Sequence, residues 1–370
     1  MKKTLIYIIS ALLTTACVYP YTADIESSAN QEVVIDANIL LGSKSTVNLS
    51  YLQPLEPGQR SHSYGVPSGT VYLTDEKGKT YPASGSNGYY TLNVPENVEG
   101  KLKLTAVVEG NTYVSDWVEP VAPPVIKDVR FTADDTNVNV LLSMEDEGVG
   151  SGYAALQYDE IWKFHTDYVR CYEYDVINDS VYMLQDPADY HYWCWTKKQY
   201  LGQQLIDYTN LNGKVQDFVA LKFPRSDSRN HSEYIIRLKL WNLTPEQYKY
   251  RKMLEENASI GSNLFSPEPG EIRGNIHCEN NPDIPVYGYL NIARINTITK
   301  EFFSSYSTWR PQYKLVEVEE DKWLAFYKKG YLPIDEVLSE SGQGSVVAWG
   351  EGRCWDCVVA GGTLKKPEFD

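Results

Sequence analysis

KLKLTAVVEGNTYVSDW, residues 101–117, places two runs of alternating apolar and polar residues on either side of Gly110-Asn111. A period of two puts Leu102, Leu104 and Ala106 on one face of an extended chain, and the glycine-asparagine pair suits a tight reversal, so the stretch reads as paired strands. The same grammar extends outward. Strand-like runs at 33–40, 45–52, 70–74 and 89–94 alternate with turn chemistry at Pro57-Gly58, 75–78, Asn87-Gly88 and Glu99-Gly100. Six or seven strands at this spacing predict a small antiparallel sandwich over residues 32–121.

Such a module resembles the immunoglobulin-like or carboxypeptidase-regulatory-like sandwiches of exported proteins, an architecture shared by many functions. Pro120, Pro123 and Pro124 follow it and cannot enter a central strand, so they mark the start of a larger β-rich domain over 125–370. In that domain 125–131, 138–144, 233–243, 286–295, 302–307, 323–327 and 345–349 read as strands, and 168–184 reads as a hairpin turning at 177–180. One helix is expected. Thr244 is a good N-cap, Pro245 fits the first helical position, Gln247 completes a capping box, and Leu243 with Tyr248 forms a hydrophobic staple. Tyr250, Leu254 and Ala258 then share a face, and Gly261 ends the helix. The expected fold is mainly β, a sandwich plus a larger β-rich domain with one capped helix.

The amino terminus carries a second message. Lys2 and Lys3 precede an apolar run at 5–13, far short of the roughly 20 residues a bilayer span needs, and small residues lead into Cys17. Residues 1–17 therefore read as an export signal with a lipobox cysteine. Leu13 stands one place earlier than in the usual box. Cys17 would carry lipid and hold the chain to a membrane, with 18–31 as a tether. Asp24 and Glu26 in that tether suit display at the cell surface.

The net charge of −15 disfavours nucleic acid as a partner, and removal of Lys2 and Lys3 makes the chain more acidic still. Tyr occurs 29 times and Trp 9 times against 5 His, a profile of half-buried sheets and aromatic contact patches more than of histidine catalysis. No nucleophile elbow, zinc-protease helix or phosphate-binding glycine loop is present, so no catalytic residue and no cofactor are expected.

The remaining cysteines are Cys171, Cys194, Cys278, Cys354 and Cys357, an odd set for a compartment where disulfides persist. A Cys171–Cys194 bridge across neighbouring strands is the first expectation. Cys354-x-x-Cys357 admits a redox pair, a zinc site with His277 and Cys278, or a disulfide from Cys278 to Cys354 or Cys357 that pins the tail. The last is favoured, because valines and glycines follow where a redox motif would open a helix. No metal is expected. The aromatic interval containing Trp162, Tyr172, Tyr174, Tyr192, Trp193 and Trp195 is the best ligand-binding candidate, since rings stack on sugars and anchor interfaces; the alternative is that these residues fill cores and cross-strand pairs.

Two stretches carry a family pattern: LTPEQYKYRKMLEENASIGSNLFSPEPGEIRGNI followed by GYLNIARI, within 243–295, and the tail CWDCVVAGGTLKKPEF at 354–369. They resemble the Bacteroidota lipoproteins of the domain of unknown function 4249 family. The resemblance implies a lipid-anchored outer-membrane protein, facing the cell surface and assisting a TonB-dependent β-barrel transporter, and it implies no established activity; with no catalytic motif in the chain, a non-enzymatic accessory role is the leading expectation. The rival expectation is a stand-alone surface lipoprotein that binds a glycan or peptide.

Overall fold

A computed structural model describes residues 32–52, 64–146, 151–185, 191–259, 274–339, 342 and 344–369. The expected signal peptide with Cys17, the expected tether, Pro57-Gly58, Ala258's side chain and Gly261 lie outside the described residues. The fold is mainly β, with several antiparallel sheets and two short helices.

Two sheets form the first sandwich. In one, Val286–Ala293, Val33–Leu40, Lys44–Tyr51, Tyr89–Asn93 and Ser84–Ser86 lie in that order, with Tyr64–Gly65 beside Lys44–Tyr51. The other runs Ile276–Cys278, Asn111–Ser115, Leu102–Val108, Thr70–Asp75 and Thr80–Pro82. Alternation does what the sequence predicts: Ile35, Ala37 and Ile39 from one sheet meet Leu73, Leu102 and Leu104 from the other in a dry core.

Two of these strands come from residues assigned by sequence to the second domain. Val286–Ala293 pairs in parallel along the whole of Val33–Leu40 and sends Leu290 and Ile292 into the core. Ile276–Cys278 extends the opposite sheet beside Asn111–Ser115. Asn275 joins the two sheets, its side chain donating to the Leu290 carbonyl at 3.1 Å and accepting from the Leu290 N–H at 2.8 Å. Gly288, at φ +110°, lies so close to Ile35 that an added Cβ would sit 1.9 Å from the Ile35 carbonyl oxygen. Asn275 and Gly288 thus fasten the returning segment into the first sandwich.

The second sandwich packs Val125–Ala133, Asn137–Glu145 and Lys214–Pro224 against a sheet ordered Trp193–Gln199, Tyr153–His165, Glu233–Asn242 and Asn296–Phe303, with Gln204–Asp207 also on Tyr153–His165. Val140, Leu142, Leu156, Ile236, Leu238 and Phe223 fill its core. A small outer lobe contains the hairpin Tyr172–Asp175 and Ser180–Met183, a sheet of Val316–Glu317, Ser345–Glu351 and Tyr331–Leu338, and the helix Trp323–Lys328. That helix replaces the strand expected at 323–327. Six residues of mostly apolar character do not distinguish the two states, and the preceding turn Glu320–Lys322 starts the winding.

The helix Pro245–Ser259 forms as read. Gln247 N–H donates to Thr244 Oγ1 at 3.2 Å, and Thr244 N–H donates to Gln247 Oε1 at 2.8 Å, completing the capping box. Leu243 is buried with Tyr248 against it. The helix then spans both sandwiches: Tyr248 stacks on Tyr153 of the second at 4.2 Å, and Tyr250 meets Tyr289 of the first at 4.9 Å. Leu40, Ala155, Trp241, Leu243 and Ala293 form a shared core between them. The proline crossing is fastened too, because Asn242 and Asn296 donate to the carbonyls of Ala122 and Pro124.

Candidate functional site: an aromatic ledge

The disulfide joins Cys194 to Cys357, with both residues buried, while Cys171, Cys278 and Cys354 are free thiols. Neither expected bridge forms. Cys171 leads into the lobe hairpin, where its N–H donates to Ile334, whereas Cys194 sits on the edge strand of the second sandwich. Cys278 belongs to the first sandwich, on Ile276–Cys278, and so reaches neither the tail nor a zinc cluster with Cys354 and Cys357. Among the described residues no group of three or more His, Cys, Asp or Glu gathers as a metal site. Burial pushes the Cys354 thiol up to about 12, which keeps it protonated and unreactive.

Beyond the disulfide, the tail lies along the same edge. Trp195 and Thr363 exchange backbone hydrogen bonds at 2.7 and 2.8 Å. Lys366 reaches Glu233 at 2.5 Å and sits 4.9 Å over the Trp195 ring, and Phe369 lies 4.5 Å from the Arg237 guanidinium. Ile161 and Ile235 point away from the sandwich core yet are buried, as expected for residues beneath this strap.

The clamped edge presents a cluster of rings. His165 ends Tyr153–His165 directly opposite Trp193 in register. Its ring stacks on His231 at 4.1 Å and on Tyr192 at 5.0 Å, while Trp193 and Trp309 meet it edge-on at 4.9 and 4.6 Å. Lys163 lies 5.3 Å over Trp193, which remains 39% exposed. His231 Nδ1 accepts the His165 backbone N–H at 3.2 Å, leaving the proton on a buried Nε2 without a hydrogen-bond partner. Burial, then the neighbouring His165, push His231 down to about 4, and burial also lowers His165, so both rings are neutral near pH 7.

A buried ion network fixes the turn that carries His231. Arg229 forms a two-point pair with Asp227, both bonds 2.9 Å, and reaches Glu160 at 3.0 Å while lying 4.1 Å from the Phe223 ring. Tyr234 donates to Glu160 at 2.7 Å, and Trp162 Nε1 donates to Ser228 at 3.0 Å. Each charge here is answered by another, which is the arrangement of a foundation.

The structure therefore divides the six aromatic candidates. Tyr192 and Trp193 form the ledge, Trp195 supports the tail, and Trp162 packs beneath. Tyr172 and Tyr174 belong to the outer lobe: Tyr174 is buried against Trp349 with its hydroxyl on Asp179, and Tyr172 donates to Glu336 at 2.7 Å. Sequence reading missed His165, His231, Lys163 and Trp309. Only the pairing of distant segments brings them together.

The geometry defines a double β-sandwich protein with an outer lobe and a strapped aromatic edge. The chain belongs to the family described as Domain of unknown function (DUF4249), whose model matches residues 18–299. The tail and its Cys357 lie beyond that match. No curated protein matches the chain. Among solved structures it is similar to a DUF4785 family protein from Legionella pneumophila at 11% identity and a TM-score of 0.19, over 56% of this chain and 52% of that one. That likeness carries no argument about fold or function.

Proposed function

We propose that this chain is a non-enzymatic lipoprotein, held by lipid on Cys17 at the outer membrane and facing the cell surface, that docks beside a TonB-dependent β-barrel transporter. The single observation that carries the binding part of this reading is the ledge, where rings from four separate segments are locked before any ligand arrives. Such preorganisation lowers the entropic cost of binding. Family membership supports the transporter part through the resemblance to Bacteroidota lipoproteins.

The charges beneath the ledge are arranged as a scaffold. Arg229, Glu160 and Asp227 pair with one another, as do Arg237, Lys239 and Asp159.

The exposed Trp193 with Lys163 above it favours a second reading, a stand-alone surface protein that stacks a glycan or an aromatic peptide on the ledge. Affinity capture from detergent-solubilised outer membranes separates the two. Recovery of a stoichiometric β-barrel supports docking; recovery of the chain alone, together with glycan-array binding lost in Trp193→Ala, supports the second reading.

A further inference from the structure

The hairpin Tyr172–Asp175 and Ser180–Met183 holds apolar side chains in solvent on a rigid support. Ile177 at its tip is 93% exposed, and Val176, Tyr182 and Met183 are 45%, 50% and 66% exposed. The turn is not loose. Asp175 Oδ1 accepts the N–H groups of Ile177 and Asn178 at 2.8 and 3.2 Å, and Asn178 donates to Oδ2 at 2.6 Å. Asp179, at φ +46°, is fastened by the Tyr174 hydroxyl at 2.5 Å, and Tyr174 is itself anchored in the lobe core beside Trp349 and Trp323.

We infer that this tip is a docking wedge that inserts Ile177 into an apolar socket on a partner protein, rimmed by Lys or Arg. The inference rests on the proposed function and names the contact surface for the transporter. Charge selects the occupant. Residues 172–183 include three carboxylates and no cation; Glu173 is answered by Arg170, which leaves Asp175 and Asp179 as the net negative charges beside the tip. This negative collar repels an anionic lipid surface and repels the same collar on a second copy, whereas a cationic rim answers it. A rigid, solvent-facing apolar anchor surrounded by polar groups also has the anatomy of an interface hot spot.

The test uses the full-length lipoprotein, captured from solubilised outer membranes as wild type, as Ile177→Asp, and with a photo-crosslinking residue at 177. The wedge predicts that Ile177→Asp recovers at least tenfold less barrel while its thermal midpoint is unchanged, and that the crosslinker attaches to the barrel. If the wild type recovers a barrel and Ile177→Asp recovers as much, the wedge is wrong and the docking reading stands. If the wild type recovers none, both fall. Cys17→Ala protein that sediments with protein-free phosphatidylglycerol vesicles, or that dimerises in ultracentrifugation, with either behaviour lost in Ile177→Asp, would overturn the wedge in favour of lipid or of self-association.

Discussion

Cys194 and Cys357, 163 residues apart, are joined across the edge of the second sandwich, so the carboxy-terminal segment is stapled to the strand that presents Trp193. The chain-entropy model gives a loop of this length about 5 kcal/mol of stabilisation. Non-reducing peptide mapping should yield one crosslinked pair, Cys194 with Cys357. Cys278 and Cys354, both buried, should resist alkylation until the protein unfolds, and Cys194→Ala should lower the denaturation midpoint and weaken the ledge together. A crosslinked peptide containing Cys278 would refute this connectivity.

The first sandwich is completed by a late segment. Residues 32–121 expressed alone should therefore lack a cooperative thermal transition, because Val33–Leu40 loses its parallel neighbour and the core loses Leu290 and Ile292. Appending residues 274–295 through a flexible linker should restore one. A stable, cooperatively melting 32–121 fragment would show that the returning strands are dispensable.

Two aromatic candidates should separate cleanly by mutation. Tyr174→Ala empties a buried site in the outer lobe and should cost about 3–5 kcal/mol, as large-to-small core changes do. Trp193→Ala removes a ring that is 39% exposed and should change stability by less than about 1 kcal/mol while reducing ledge binding. Chemical denaturation of both variants measures the contrast.

Acid should loosen the ledge. His231 is held down to about 4 in the fold, below its ordinary value of 6.5, so the unfolded chain takes up a proton first as pH falls. The stability contributed by neutral His231 is fully present above about pH 6.5 and is lost progressively toward pH 4. After allowance for partial solvent access, the loss by pH 5 is about 1–2 kcal/mol. His231→Gln keeps an acceptor for the His165 N–H but does not titrate, so its melting temperature should fall less between pH 7 and pH 5 than that of the wild type. Equal slopes would remove His231 from the explanation.

What the sequence disclosed was local. Thr244 and Gln247 stand three residues apart, so their reciprocal hydrogen bonds are written in the chain itself, and the alternation of Ile35, Ala37 and Ile39 names a buried face without any partner being known. Choice of partner is a long-range property. Nothing around Val286–Ala293 says that it pairs with Val33–Leu40 and not with its neighbours in sequence, and nothing around Cys194 selects Cys357 over Cys171. The ledge was half legible for the same reason: Tyr192 and Trp193 announce themselves in an aromatic run, whereas His165, His231 and Trp309 acquire meaning only when three distant segments meet. Asn275 and Gly288 carry no local sign of their roles: Asn275 ties to Leu290 across the sandwich, and Gly288 lets its strand lie close against Ile35.

The proposal that this chain is a lipidated partner of a β-barrel is best decided by native mass spectrometry of the chain extracted from its membrane fraction in a mild detergent. The expected spectrum contains a complex whose mass equals one lipidated chain plus one β-barrel, dissociating to a chain that begins at an acylated Cys17. A mass of the lipidated chain alone, under conditions that preserve other outer-membrane complexes, would contradict it.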